Sequence, residues 1–218
     1  MPMHVSAEHT AALLTNPFAT RYTRPGSLPP LDLRGRAIDA DEMLVALGHL
    51  GVAASLRGPH GAGKTTLLTH LASSWEARGM AIERVRLRSC RDTPNALAII
   101  SRSPAGGIVC IDSWELAGRS AGWAARLMAR RAGCRLLVTE HKRTGLPVLM
   151  ECRTTAALLA SVVSRLPDHA GWFGMLIHEV DIHEAFANSQ GNLREALADL
   201  YDRFESRRPP VPVPGVSG

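Results

Sequence analysis

Five short segments of the chain read as β-strands. Residues 52–58 (VAASLRG), 106–112 (GGIVCID), 134–141 (CRLLVTEH) and 147–155 (PVLMECRTT) carry runs of apolar residues, and residues 81–89 (AIERVRLRS) alternate apolar with polar. Between them the apolar positions recur every three to four residues, the period of a helix packed on one side. Helices are expected over 39–51 (DADEMLVALGHLG), 63–79 (GKTTLLTHLASSWEARG), 93–104 (TPNALAIISRSP), 113–133 (SWELAGRSAGWAARLMARRAG) and 155–167 (TAALLASVVSRLP). In the second of these, Leu67, Leu68, Leu71 and Trp75 share one face, and Gly79 ends it. Strands this apolar need cover on both faces, and strands alternating with helices give a parallel sheet between two helical layers. The C-terminal part differs. Two helical patterns, 180–191 and 192–208, follow one another with no strand between them, so a small helical lid is expected.

The expected organisation is an N-terminal arm (1–30), an α/β core (31–168), a helical lid (169–207) and a flexible Pro-rich tail (208–218). Length and composition fit one soluble globular domain with such a lid: 218 residues, 45% hydrophobic and 21% charged. The net charge of +5 allows a nucleic-acid partner without requiring one, because the arginines are scattered and form no run. Cys90, Cys110, Cys134 and Cys152 have no metal-ligand spacing and no framework of a disulfide scaffold, and Cys110 falls inside an apolar run. No stretch has the length of a membrane span, and the first residues lack the pattern of a signal peptide. A cytoplasmic protein with no membrane partner is expected.

Chemistry concentrates at residues 57–68, RGPHGAGKTTLL. The chain has only two lysines, Lys64 and Lys142, against 23 arginines, and one of the two sits between a glycine-rich stretch and two threonines. Gly58, Pro59, His60, Gly61, Ala62, Gly63, Lys64 and Thr65 match G-x-x-x-x-G-K-[ST], a phosphate-binding loop, and Thr66 follows. Each residue type has a physical reason. Glycines let the loop turn its N–H groups inward around phosphate, and the helix that follows adds the positive end of its dipole. The lysine ammonium is a compact charge that fits between phosphate oxygens where a planar guanidinium does not. The Thr65 hydroxyl is a magnesium ligand. ATP and Mg²⁺ are therefore the expected cofactors. No N/T-K-x-D motif for a guanine base occurs, which favours adenine.

Two further strand ends complete the expected site. Ile108 to Ile111 carry Asp112 to the end of a strand, where its carboxylate would hold the metal opposite Thr65, a Walker B pattern. The acid that many ATPases place next is Ser113 here. Glu115 is the nearest carboxylate able to orient a water, and Glu140, at the end of the next strand, is the alternative. If residues 134–141 lie between the two nucleotide-binding strands, Thr139 or His141 would sense the γ-phosphate.

GPHGAGKTT, IVCIDSWEL, LLVTEH and GNLREALADLYDRF together resemble the P-loop ATPases that carry an extra strand between the Walker strands, the group that includes the AAA and STAND ATPases. The resemblance spans residues 16–205. It implies that Glu115 takes the place of the acid often found three residues after the Walker B Asp. It also implies that Gly191, Asn192 and Arg194 form the lid turn from which an arginine reaches the phosphates. The fold it implies is a three-layer α/β domain with a five-stranded parallel sheet. The function it implies is a nucleotide-driven switch with slow ATP hydrolysis, a protein partner and nucleotide-dependent oligomers. Lys64, Asp112, Glu115, Thr139 and Arg194 are the expected catalytic set. The alternatives are a small-molecule kinase and a non-hydrolysing ATP-dependent scaffold for protein or DNA.

Overall fold

The structure, a computed structural model, describes residues 15–141, 143–167 and 173–208. Residues 1–14 of the expected arm and 209–218 of the expected tail lie outside them, as do Lys142 and the expected boundary between core and lid. The elements run α1 (Ala40–His49), β1 (Ala53–Arg57), α2 (Lys64–Ala77), β2 (Ile82–Arg86), α3 (Thr93–Arg102), β3 (Ile108–Asp112), α4 (Arg119–Ala132), β4 (Arg135–Glu140), β5 (Val148–Glu151), α5 (Ala156–Val163), α6 (Glu179–Asn188) and α7 (Leu193–Arg207). All five strands are parallel, in the order β2-β3-β4-β1-β5. This is the expected three-layer α/β fold with a five-stranded sheet.

Alternation of side chains along each strand divides the core between the two faces. Ala54, Leu56, Ile108, Cys110 and Leu137 pack under α1 and α2, against Leu47, Leu67, Leu71 and Trp75. The Trp75 indole N–H donates to the Ala40 carbonyl at 2.8 Å, fixing α1 on α2. The intervening residues Val109, Ile111, Leu136 and Val138 pack on the other side, against Ala96 and Ile100 of α3 and Ala121, Ala125 and Ala129 of α4. Alanines on α4 let its backbone lie close to the sheet. All four cysteines are free, and burial pushes the Cys110 thiol up to about 12.

The C-terminal helices share a third core. Leu159 and Val163 of α5 meet Ile182 and Ala185 of α6 and Ala196, Leu200 and Phe204 of α7. Phe18 belongs to the same cluster and meets Phe204 edge-on, with ring centroids 6.3 Å apart. Asn16 donates to the Tyr201 carbonyl at 3.1 Å and to Glu205 at 2.9 Å. The start of the described chain is thus packed on α7.

Three local expectations are corrected. Residues 113–133 form no single helix: Ser113 (φ 65°) and Gly118 (φ 81°) bracket a 3₁₀ turn, Trp114–Ala117, before α4 begins. Trp114 is fully buried, and seating its indole under α4 requires the chain to turn first. β2 is not covered on both faces. It is an edge strand, and Glu83, Arg84 and Arg86 are exposed. On α7, the sequence predicts an apolar stripe of Leu193, Ala196, Leu197, Leu200 and Tyr201, but Tyr201 is exposed, and Phe204, one turn on from Leu200, completes the buried face.

Candidate functional site

Because the sheet is parallel, β1, β3 and β4 deliver their last residues to one edge. The loop after β1 is shaped by its surroundings. A Cβ at Gly58 would lie 2.3 Å from the Cys152 carbonyl oxygen, so no larger residue fits there. Gly63 (φ 80°) takes the left-handed conformation that turns the loop into α2, which starts at Lys64.

Lys64 is 6% exposed. Its ammonium donates to the carbonyls of Gly58 (2.8 Å) and Pro59 (2.6 Å) and lies 3.0 Å from Nδ1 of His141. Burial holds its pKa below the ordinary lysine value, opposed by the nearby Cys152, Glu115 and Asp112. The Thr65 hydroxyl donates to the Asp112 carboxylate at 3.1 Å, and the Thr139 hydroxyl donates to the same carboxylate at 2.6 Å. Thr139 in turn accepts the backbone N–H of Ser113 at 2.9 Å. The left-handed turn at Ser113 brings Glu115 back toward the strand ends, where its Oε1 is 3.4 Å from Nε2 of His141. Its other oxygen, Oε2, is buried and has no hydrogen-bond partner among the described residues. Thr66 is half-buried on the first turn of α2.

The two candidate bases occupy different surroundings. Glu140 is fully buried, and its oxygens accept from the Ser55 hydroxyl (2.9 Å), the Arg57 guanidinium (2.8 Å) and both the N–H and hydroxyl of Thr144. That carboxylate is engaged in holding β1 to the loop after β4. Glu115 keeps a free oxygen beside Lys64 and His141.

The turn before α7 meets the loop, through a residue other than the arginine expected there. A Cβ on Gly61 (φ 72°) would lie 1.7 Å from Oδ1 of Asn192. Asn192 caps α7, accepting from the N–H groups of Arg194 (3.1 Å) and Glu195 (3.4 Å). The Arg194 side chain is exposed, with no partner among the described residues. Sequence reasoning placed His60 in the loop and Asn192 in the lid turn but foresaw neither the stacking of His60 on His141, with centroids 3.5 Å apart, nor the contact of Asn192 with the loop, and it missed Arg86, 3.7 Å from Asp112. Two histidines 81 positions apart gave no local signal; Asn192 had one, as a helix-capping residue after a glycine.

Among the described residues no group of three His, Cys, Asp or Glu could hold a metal ion. The donor set instead fits a hard cation that keeps most of its waters, one hydroxyl (Thr65) and one carboxylate (Asp112) beside the glycine loop.

The architecture is P-loop NTPase-like. A solved structure of the replication initiator DnaA bound to AMPPCP and single-stranded DNA is similar over 73% of this chain and 58% of that chain, with a TM-score of 0.50 at 11% identity. The chain thus spans little more than half of that protein's length. Domain III of the Thermotoga maritima replication initiation protein DnaA is similar over 81% of this chain and 99% of its own, with a TM-score of 0.44 at 12% identity. A RuvB mutant of Thermotoga maritima covers 73% of this chain and 59% of its own, with a TM-score of 0.45 at 20% identity. At such identities the likeness is one of fold. No family model and no curated protein matches the chain.

Proposed function

We propose that the chain binds ATP with Mg²⁺ and hydrolyses it slowly, acting as a nucleotide-driven switch of the AAA/STAND type. The observation that carries this reading is the convergence at one sheet edge of a glycine loop, the Lys64 ammonium, the Thr65–Asp112 pair and a carboxylate with one oxygen free. In this reading the loop N–H groups and Lys64 bind the phosphates, and Thr65 and Asp112 hold the cation. The cation, when bound, neutralises charge on the phosphate oxygens. Thr139 fixes the Asp112 carboxylate and links it to Ser113. Glu115, through Oε2, accepts a hydrogen bond from the attacking water and orients it. Arg194, exposed at the first turn of α7, is proposed to approach the γ-phosphate when α6 and α7 close on the loop.

A kinase needs a phosphate-covering insertion between strands, and β4 and β5 are joined by only the short segment 141–147. A pure scaffold would not need Glu115 in the site. Single-stranded DNA, which the similar DnaA structure contains, is a candidate partner here alongside protein, as is a nucleotide-dependent oligomer. Calorimetric titration with ATP–Mg²⁺, paired with phosphate release, tests the reading. It expects binding and slow release by the wild type, and binding with much slower release by Glu115→Gln. Absence of ATP binding by the wild-type protein overturns it.

A further inference from the structure

His141 lies at the centre of this site and belongs to none of the phosphate or cation contacts. It follows the last residue of β4 directly, its side chain is 21% exposed, and three elements face it. Lys64, at the start of α2, is 3.0 Å from Nδ1; Glu115, on the 3₁₀ turn after β3, is 3.4 Å from Nε2; and His60, on the glycine loop, stacks on the ring at 3.5 Å.

The partners decide the tautomer. A lysine ammonium has donors only, so Nδ1 must offer its lone pair to Lys64. A neutral imidazole with an accepting Nδ1 carries its proton on Nε2, the atom that faces Glu115. The Gly58 carbonyl, 3.2 Å from Nδ1, is an acceptor for the other tautomer, but that tautomer sets a proton against the Lys64 ammonium at 3.0 Å and a lone pair against the Glu115 carboxylate at 3.4 Å, so two contacts favour Nε2–H against one. Burial first, and then the Lys64 charge and His60, hold the His141 pKa below its ordinary value, with Glu115 and the Gly58 carbonyl opposing. The consequence for Glu115 is geometric. A proton on Nε2 engages Oε1, and Oε2 is left as the acceptor. The stacked His60 ring limits rotation of the imidazole that does this.

We propose that His141, as the Nε2–H tautomer clamped by His60, is a positioning residue that sets the orientation of Glu115 and ties it to Lys64, so that the water-orienting carboxylate is aligned with the phosphate-binding ammonium. This rests on the reading of Glu115 as the group that orients water.

The experiment measures ATP affinity, ATP turnover and melting temperature for wild type, His141→Ala, His141→Asn, His141→Gln, Glu115→Gln and the His141→Ala/Glu115→Gln double variant. His141→Ala is expected to lower kcat roughly 10- to 100-fold while leaving ATP affinity within about threefold. His141→Gln, whose amide N–H reaches the place of Nε2, should recover more kcat than His141→Asn, whose shorter amide reaches only the place of Nδ1. The double variant should turn over no more slowly than Glu115→Gln alone, since His141 acts through Glu115. A multiplicative loss in the double variant, or wild-type kcat in His141→Ala, overturns the proposal and leaves the ATPase reading standing. Absence of turnover in the wild type overturns that reading and, with it, this role. Should His141→Ala fail to fold, long-range ¹⁵N–¹H correlation spectra of the wild-type imidazole decide: a proton on Nε2 supports the proposal, and a proton on Nδ1 overturns it.

Discussion

At the scale of single residues, the site turns on compact charge and on which acids are already engaged. Lys64 satisfies two carbonyls and an imidazole within 3.0 Å of one nitrogen while 6% exposed, a space no guanidinium can share. Lys64→Arg is therefore expected to lose ATP affinity as Lys64→Ala does, by about tenfold or more, or about 1.5 kcal/mol or more for a lost charge-assisted contact. Calorimetric titration of the folded variants measures it, and near-wild-type affinity in Lys64→Arg would refute the argument from size. The two glutamates give an opposite pair of outcomes. Glu140→Gln removes the charge from a buried carboxylate that Arg57 faces at 2.6 Å, so it should cost about 3 kcal/mol and lower the melting temperature by roughly 6–12 °C. Glu115→Gln should leave the melting temperature near the wild-type value and slow phosphate release strongly. Thermal denaturation beside a turnover assay separates them. The distinction was not legible in the sequence, where both are acids near strand ends. Of the groups that bind Glu140, Ser55 is 85 positions away and Arg57 83, so the register of β4 on β1 has to be known. The convergence of Lys64, Thr65 and Asp112 was legible, because Lys64 and Thr65 follow the glycine loop directly and Asp112 ends an apolar run that reads as a strand of the same sheet.

At the scale of elements, strands and helices followed from hydrophobic period, and the departures occur where tertiary contacts outweigh it. Trp114 fits a helical stripe by period, yet its burial under α4 breaks the helix at Gly118. β2 alternates because one neighbour and one half-covered face are all it has. The joint between α6 and α7 was not foreseen at all. Asp181, 3% exposed, accepts from Arg203 at 3.0 Å, from Arg207 at 2.6 and 2.8 Å and from the His178 N–H at 2.8 Å. Arg203 also reaches Glu184 and Asp199. Arg207 above all, then the His178 N–H and Arg203, hold the Asp181 carboxyl well below the usual carboxylate range. A folded pKa below the unfolded value of about 3.9 means that this stabilisation is complete above pH of about 5. It declines as pH falls below the unfolded pKa and is gone once pH falls through the folded one. Asp181→Asn should cost about 2 kcal/mol at neutral pH, or roughly 4–8 °C in melting temperature. The gap between wild type and variant should shrink as the pH is lowered from 6 to 3. Melting curves across that range check it, and a gap that widened on acidification would show the sign to be wrong.

At the scale of the whole molecule, the α5–α7 unit and the glycine loop after β1 meet where α7 begins. Gly61 stands in the left-handed region at φ 72°, and a Cβ there would fall 1.7 Å from Oδ1, 2.4 Å from Cγ and 3.1 Å from Cα of Asn192. A side-chain rotation alone cannot relieve this. Asn192 is held by the two N–H groups it caps and by the bond from its Nδ2 to Glu195, and its own Cα is already close. Breaking the cap would cost about 1 kcal/mol, and a non-glycine residue in the left-handed conformation about another 1 kcal/mol. Gly61→Ala should therefore push the start of α7 away from the loop rather than unfold the sheet, whose clusters on both faces do not involve Asn192. Gly63 supplies the comparison. It has φ 80° and nothing within 4 Å of the added carbon, so Gly63→Ala carries the backbone strain without the collision. Hydrogen exchange followed by mass spectrometry is expected to show faster exchange in α6 and α7 for Gly61→Ala than for Gly63→Ala, with β1, β3 and β4 protected in both. Addition of ATP–Mg²⁺ should slow exchange in α7 of the wild type and do so less in Gly61→Ala, because the contact through which the loop reaches α7 is the one displaced. Equal exchange in α7 for the two variants would mean that Asn192 rests on the loop without tying the helices to it, and that nucleotide at Lys64 has no direct route to the C-terminal unit.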